Sequence, residues 1–340
     1  MSVSRKERIA GTIMGSLIGD ALGVGPHWYY DLDTLRQDYG DWIDGYTEPK
    51  QGRYHAGLKA GESSQTGQVT AMLLESVAEK GGYDEDDFTG RVDSLLETLD
   101  GTAKGGRYTD QAMREVWHAR IKVNKPWRQS GSLASTAEAA IRVPVLAGRY
   151  AGDMGACYDA ITANVILTHR AAETAGRSVA FGLLVHALVN GASMPNAKQH
   201  VMNGLRDAGK SLAMPVPAEA VEYGFIDDVL NVTWISECAK DPAIAIEPAW
   251  KAARLYGLAC PLASLMPAAV YFAARFEGDF ESAVLHAVNS GGNNMARAAL
   301  TGAMSGALVG LGGIPERFID GLHDSRQLLT LAEQVAEAAG

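Results

Sequence analysis

Three observations predict an all-α fold. Apolar residues recur at helical spacing through most of the chain. Almost no segment alternates apolar and polar residues between Asn-Gly or Asp-Gly turns, as strands would require. No Pro/Ser-rich linker, low-complexity tract or fixed repeat divides the 340 residues. The expectation is therefore one domain, 1–340, a compact bundle of many helices.

The elements follow in order. Ile9, Ala10, Ile13, Met14, Leu17, Ile18, Ala21 and Leu22 form the apolar stripe of a first helix, which Gly23-Val24-Gly25-Pro26 stops. Residues 29–67 are polar, glycine-bearing and weakly periodic. Loops of this length are usually functional or disordered, and Trp42, Tyr46, Tyr54 and His55 favour an ordered, functional one. A second helix is expected over 69–80. Asp84-Glu85-Asp86-Asp87 opens a third, its carboxylates complementing the N-terminal dipole as a solvated helix start. Further helices are predicted over 110–123, 135–147, 156–168, 172–190, 195–209, 217–239, 248–258, 262–276, 280–290, 295–310 and 316–339. Glycine weakens a helix by about 1 kcal/mol relative to Ala, so the 38 glycines need reasons. Many cap helices; Gly302, Gly306 and Gly310 lie four apart on one face and would let a neighbouring helix approach closely.

Composition narrows the function. With 30 Lys+Arg against 40 Asp+Glu the formal charge is −10, which together with the absence of a basic run excludes a nucleic-acid module. Cys157, Cys238 and Cys260 are too few and too widely spaced for a disulfide framework or a cysteine zinc site, and point to the reducing cytoplasm. The first residues, Met1 to Arg8, hold no apolar signal core. Nowhere do about 18 apolar residues run together, so no membrane partner is expected.

Three Gly-bearing polar turns sit beside helix ends: Gly19-Asp20-Ala21-Leu22-Gly23 with Pro26-His27-Trp28-Tyr29-Tyr30, then Gly61 to Gln68, then Asn289-Ser290-Gly291-Gly292-Asn293-Asn294. Free backbone N–H groups at such ends can hold a polar ligand. In this order, together with Ala140-Ile141-Arg142-Val143-Pro144 and Leu167-Thr168-His169, these motifs resemble the ADP-ribosylglycohydrolases from Arg8 to about Leu322. The resemblance implies an all-α fold and hydrolysis of ADP-ribosyl linkages with two magnesium ions.

The metal ligands of that family do not carry over. Its Thr-Asp-Asp-Thr turn is matched here by Ser64, Gln65, Thr66 and Gly67, and its Gly-Gly-Asp-x-Asp-Thr motif by Gly291, Gly292, Asn293, Asn294, Met295 and Ala296. Its early glutamate is matched by His27. Mg²⁺ wants carboxylate-anchored octahedral oxygen at about 2.0–2.1 Å, which amides, hydroxyls and a thioether do not supply. No metal or other cofactor is expected.

What remains is a neutral, hydrogen-bonding pocket for a small polar molecule. Glycosidic cleavage generally uses carboxylates. Asp20 and Glu62, with His27, are the catalytic candidates; Trp28, His55, Ser64, Gln65, Thr66, Gln68, His169, Asn293 and Asn294 are the binding candidates. Each has a plainer reading as well: Asp20 as a brace of its helix end, His169 as a structural histidine, Glu62 as a surface-loop residue. The leading expectation is a metal-free hydrolase of a small polar, ribosyl- or nucleoside-containing substrate. The alternative is a ligand-binding or structural pseudoenzyme. A magnesium enzyme would need ligands from elsewhere in the chain.

Overall fold

From Ile9 onward the first helix of the chain has no solvent face. In the computed structural model, which describes residues 3–103, 107–211, 213–214, 224–225 and 232–339, every residue from Ile9 to Val24 is buried. A helix surrounded on all sides by protein has to be central. In chain order the helices are α1 Arg5–Val24, α2 Leu32–Tyr39, α3 Gln65–Lys80, α4 Glu85–Glu97, α5 Gln111–Trp117, α6 Glu138–Arg142, α7 Pro144–Arg149, α8 Met154–Thr168 and α9 Ala172–Val189. They continue as α10 Ala197–Asp207, α11 Val232–Lys240, α12 Ala252–Tyr256, α13 Leu262–Arg275, α14 Phe280–Asn289, α15 Asn294–Val309, α16 Glu316–Gly321 and α17 Ser325–Ala338.

The main partner of α1 is α15, and glycine makes the pair. A Cβ on Gly15 would stand 2.2 Å from the Gly302 carbonyl oxygen, and one on Gly302 would stand 2.0 Å from that of Gly15. Gly11 and Gly306 repeat the arrangement one turn away. The backbones touch, and Thr12 Oγ1 donates to the Ala303 carbonyl. Around this axis α3, α7, α9, α13, α14 and α17 complete one continuous apolar core. The predicted close approach along 302–306 is therefore present. Gly310 instead ends α15 at φ 76°, a cap position that favours glycine.

The helical spans are reproduced with five physical corrections. Asp31 caps a short helix, α2, inside the stretch expected to be loop, its side chain accepting from the Asp33 amide. The helix expected over 135–147 divides into α6 and α7 at Val143-Pro144, and α5 continues as a π-helical turn over His118–Lys122. The helix expected over 316–339 breaks at Asp324, which adopts φ 57° between α16 and α17. Within the span 217–239, Gly224–Phe225 pairs antiparallel with Ala213–Met214; residues 217–223 and 226–231 lie outside the described residues. The acidic run is a helix start as expected: Asp84 caps α4, and Asp87 pairs with Arg91 at 2.8 Å. Among the described residues no helix is long and apolar enough to cross a membrane.

Candidate functional site

Asp20 lies one turn before the end of α1 and is fully buried. It faces the start of α3, where Ser64 is the N-cap. Ser64 Oγ donates to Asp20 Oδ1 at 2.6 Å, and the Ser64 amide donates to Oδ2 at 2.9 Å. The missing side chain of Gly67 is what admits the carboxyl, since a Cβ there would lie 2.3 Å from Oδ2. Burial outweighs these donors and raises the Asp20 pKa from 3.8 to about 6. Glu62, just before the same turn, is taken up by local partners: it pairs with Arg107 at 3.1 Å and accepts the Lys59 amide at 2.6 Å.

The loop after α1 meets the turn before α15 through a two-way backbone bridge. The Trp28 amide donates to Gly292, and the Gly292 amide donates to Tyr29. Gly292, at φ 62°, is pressed so closely on Leu258 that a Cβ would stand 2.3 Å from its carbonyl oxygen. Asn293 then caps α15 with Oδ1, which also lies 3.2 Å from His27 Nε2; His27 Nδ1 lies 2.7 Å from His55 Nε2. Asn293 Oδ1 can only accept, so His27 carries its proton on Nε2 and accepts from His55 on Nδ1. His55 Nδ1 is then a bare acceptor, and it has no partner. Burial, and then the neighbouring His55, hold His27 well below the ordinary histidine range; burial and Arg107 push His55 down to about 4. The pair is uncharged at neutral pH. Trp28, itself at φ 62°, stacks beside His27 and meets the edges of Tyr54 and Tyr108.

A recess opens beside this network, between α3, α5 and α6 and the end of α8. Gln65, Thr66, Asp110, Glu138, Arg142, Thr168 and His169 line it with a few apolar neighbours. The free space is about 10 Å³, enough for one water. Gln65 Nε2 donates to Thr109 Oγ1, while its buried Oε1 has no partner. Arg142, fully buried, donates to Asn164 Oδ1 at 2.7 Å and to Thr168 Oγ1 at 2.7 Å. His169 Nδ1 lies 3.0 Å from Thr168 Oγ1, and its Nε2 lies 3.1 Å from Glu138 Oε2. Asp110 caps α5 through the Met113 amide. Burial, followed by the charge of Glu138, raises the Asp110 pKa. Burial acts on Glu138 in the same sense, but the hydrogen bond and charge of His169 outweigh it and hold that carboxyl below the usual range. The Glu138 side chain keeps 16% exposure, so the recess is open to solvent.

The predicted residues thus fall into connected groups. His27, His55, Trp28 and Asn293 form one network. Ser64 and Asp20 form the brace beneath it, and Gln65, Thr66 and His169 line the recess. Asn294 is fully buried, donates to the Val288 carbonyl and leaves Oδ1 unpartnered. Gln68 is half-buried on α3 and does not line the recess. Asp110, Glu138 and Arg142 were missed as site residues. The signal for two of them was present: Glu138 and Arg142 are the only polar residues of α6 and stand four apart on it. A cleft of about 610 Å³ lies elsewhere, lined by Glu115, His118, Lys125 and Arg170 among others, and includes none of the predicted site residues.

Glycine-packed central helices with polar capping turns gathered beside their ends define an ADP-ribosylglycohydrolase-type fold. The chain belongs to that family: the ADP-ribosylglycohydrolase family model matches residues 1–340. It is 28% identical over 336 residues to an uncharacterized protein of Archaeoglobus fulgidus, covering 98% of this chain and 97% of that one. It is 22% identical over 352 residues to crystallin J1A of Tripedalia cystophora, covering 98% and 97%. Among solved structures, a chain described as an ADP-ribosylglycohydrolase-related protein complex superposes with a TM-score of 0.67 at 18% identity, covering 99% of both.

The residues present do not fit the magnesium pair that the family implies. Asn293 Oδ1 is already bonded to His27 and to its own helix at the Ala296 amide. Met295 is packed with Val24 and Leu58 in a small apolar cluster. Among the described residues no group of three or more His, Cys, Asp or Glu could hold a metal ion.

Proposed function

We propose that this chain is a hydrolase of the ADP-ribosylglycohydrolase family that works without magnesium on a small polar, ribosyl- or nucleoside-containing substrate in the cytoplasm. The observation that carries the reading is a buried acceptor without a partner on a residue that lines the recess, Gln65 Oε1. An unsatisfied buried group costs about 1–3 kcal/mol, so a ligand that donates to it recovers that energy. Sugar hydroxyls are such donors, and a neutral site suits them better than a divalent cation. Asp20, Glu62 and His27 enter this reading as groups that hold the shape of the pocket. The second reading is a pseudoenzyme that binds such a molecule without turnover.

The test is hydrolysis of 4-nitrophenyl riboside, adenosine and ADP-ribosyl-arginine in EDTA and in magnesium. Turnover of at least one compound, unchanged by EDTA, is the expected result. Turnover that requires magnesium would overturn the metal-free reading, and thermal stabilisation by these compounds with no turnover would establish the pseudoenzyme. A separate expectation concerns the metal itself. A ligand that binds only the folded state raises stability by mass action, so millimolar Mg²⁺ should leave the melting midpoint where EDTA leaves it. A clear upward shift would mean that carboxylates elsewhere assemble a site.

A further inference from the structure

We propose that Asp110 and Glu138 are the catalytic carboxyls of this chain, Asp110 as general acid and Glu138 as general base, serving a ribosyl linkage held between the recess and the aromatic pair of Trp28 and Tyr108. The proposal rests on the hydrolase reading above and gives it carboxyls from outside the family's metal-ligand motifs, in a recess that Gln65 and Thr66 of one such motif also line.

The geometry provides two carboxyls of opposite character in one solvent-accessible recess, together with room for a water. Glu138 is oriented by His169, which is itself fixed by Thr168 and, through it, by Arg142. An oriented, ionised carboxylate beside a water is what a general base requires. Asp110 has the opposite balance, because burial and the charge of Glu138 both favour its protonated form. Two carboxyls whose environments push their proton affinities apart mark acid and base assignments. The other charged groups around the pair are Arg114 on α5, Arg142 on α6 and His169 at the end of α8.

The recess also joins the neutral network. Tyr108 meets Trp28 and His55 edge-on, and the next residue, Thr109, accepts from Gln65 of the recess. The buried, unpartnered Gln65 Oε1 belongs to a residue lining the recess and is an acceptor for a substrate hydroxyl.

The step balances with water as the only co-reactant. Glu138 takes a proton from water as its oxygen bonds to the anomeric carbon. The bond from that carbon to the leaving oxygen or nitrogen breaks, and Asp110 gives its proton to the leaving atom. Glu138 is then protonated and Asp110 ionised, and transfer of one proton from Glu138 to Asp110 resets the pair. Because the two groups are coupled, the limbs of the pH–rate profile belong to the pair.

The experiment uses Asp110→Asn and Glu138→Gln on the three compounds named above. Asn remains an N-cap for α5, and Gln keeps an acceptor for His169, so both variants should fold. Asp110→Ser, another good cap, replaces Asp110→Asn if the latter does not. Glu138→Gln should lose about 10²–10⁴-fold in kcat on every compound the wild type cleaves. Asp110→Asn should lose a comparable factor on adenosine and ADP-ribosyl-arginine while largely keeping 4-nitrophenyl riboside, whose leaving group needs no proton. A purely structural role would reduce all three alike. Wild-type turnover with both variants fully active would overturn this assignment and leave the hydrolase reading intact. A wild type inert on all three would overturn both.

Discussion

Gly302→Ala should unfold or severely destabilise the protein, although in an isolated helix the same change is favourable by about 1 kcal/mol. The added methyl would stand 2.0 Å from the Gly15 carbonyl oxygen and 2.8 Å from its carbonyl carbon. Those atoms are backbone in the interior of α1, a helix buried from Ile9 to Val24. No rotamer change relieves the clash, so the two central helices must separate. Separation would strip the Thr12–Ala303 hydrogen bond and loosen the turns that both helices carry at their ends. Overpacking of a tight core ordinarily costs about 1–3 kcal/mol, and contact on backbone at both sides places this case at or above the top of that range. Gly90→Ala is the matched control. Gly90 is an exposed residue of α4, and an added Cβ meets nothing within 4 Å. Here the helix-propensity gain should appear alone, as a stabilisation of up to about 1 kcal/mol. Urea denaturation of the two variants checks both signs. A Gly302→Ala variant as stable as the wild type would mean that α1 and α15 are not in backbone contact.

The reason half of this interface was legible in the sequence shows where such reading stops. Gly302 and Gly306 announce themselves by a four-residue spacing in a small-residue helix. Gly11, Gly15, Gly19 and Gly23 on α1 have the same spacing, yet the apolar stripe beside them already accounted for that helix. The site divides in the same way. His27, Ser64, Gln65 and Asn293 could be found because they occupy motif positions beside helix ends. Asp110 and Glu138 could not be found that way, because each has a sufficient local explanation: one opens α5 as an N-cap, and the other begins α6 in its first turn. What joins them is tertiary. The end of α8 brings His169 to Glu138, and the stacking of α3, α5 and α6 makes one recess of residues far apart in sequence. The break at Asp324 was hidden for a related reason. Leu322 and Leu328 keep an apolar rhythm across it, and only the left-handed backbone between them ends α16 and starts α17.

Asp20→Asn should change the dependence of stability on pH as well as stability itself. The folded pKa of Asp20, about 6, lies above its unfolded value near 3.8, because the fold buries the carboxyl completely and favours its neutral form. Stability from this group is therefore fully present below about pH 4 and is lost as the pH rises through about 6. A shift of about two units corresponds to roughly 3 kcal/mol between those limits. The amide variant does not ionise and loses nothing over that window. At pH 4 the wild-type carboxyl is protonated and has one hydrogen to place, whereas the amide has two to place in the same buried site, beside the Ser64 hydroxyl or the Ser64 amide. At pH 4 the variant should therefore be clearly less stable than the wild type. Its deficit should shrink towards pH 7, as the wild type bears the cost of ionising a buried group. Urea midpoints measured across pH 4–7 give the comparison, and parallel curves would refute the shifted pKa. The same variant separates brace from catalyst. As a brace, Asp20 acts through Ser64 on the start of α3, so its loss should raise KM through Gln65 and Thr66 while an acid limb in the rate profile persists. Disappearance of that limb in Asp20→Asn, with KM unchanged, would instead make Asp20 the group whose proton the reaction uses.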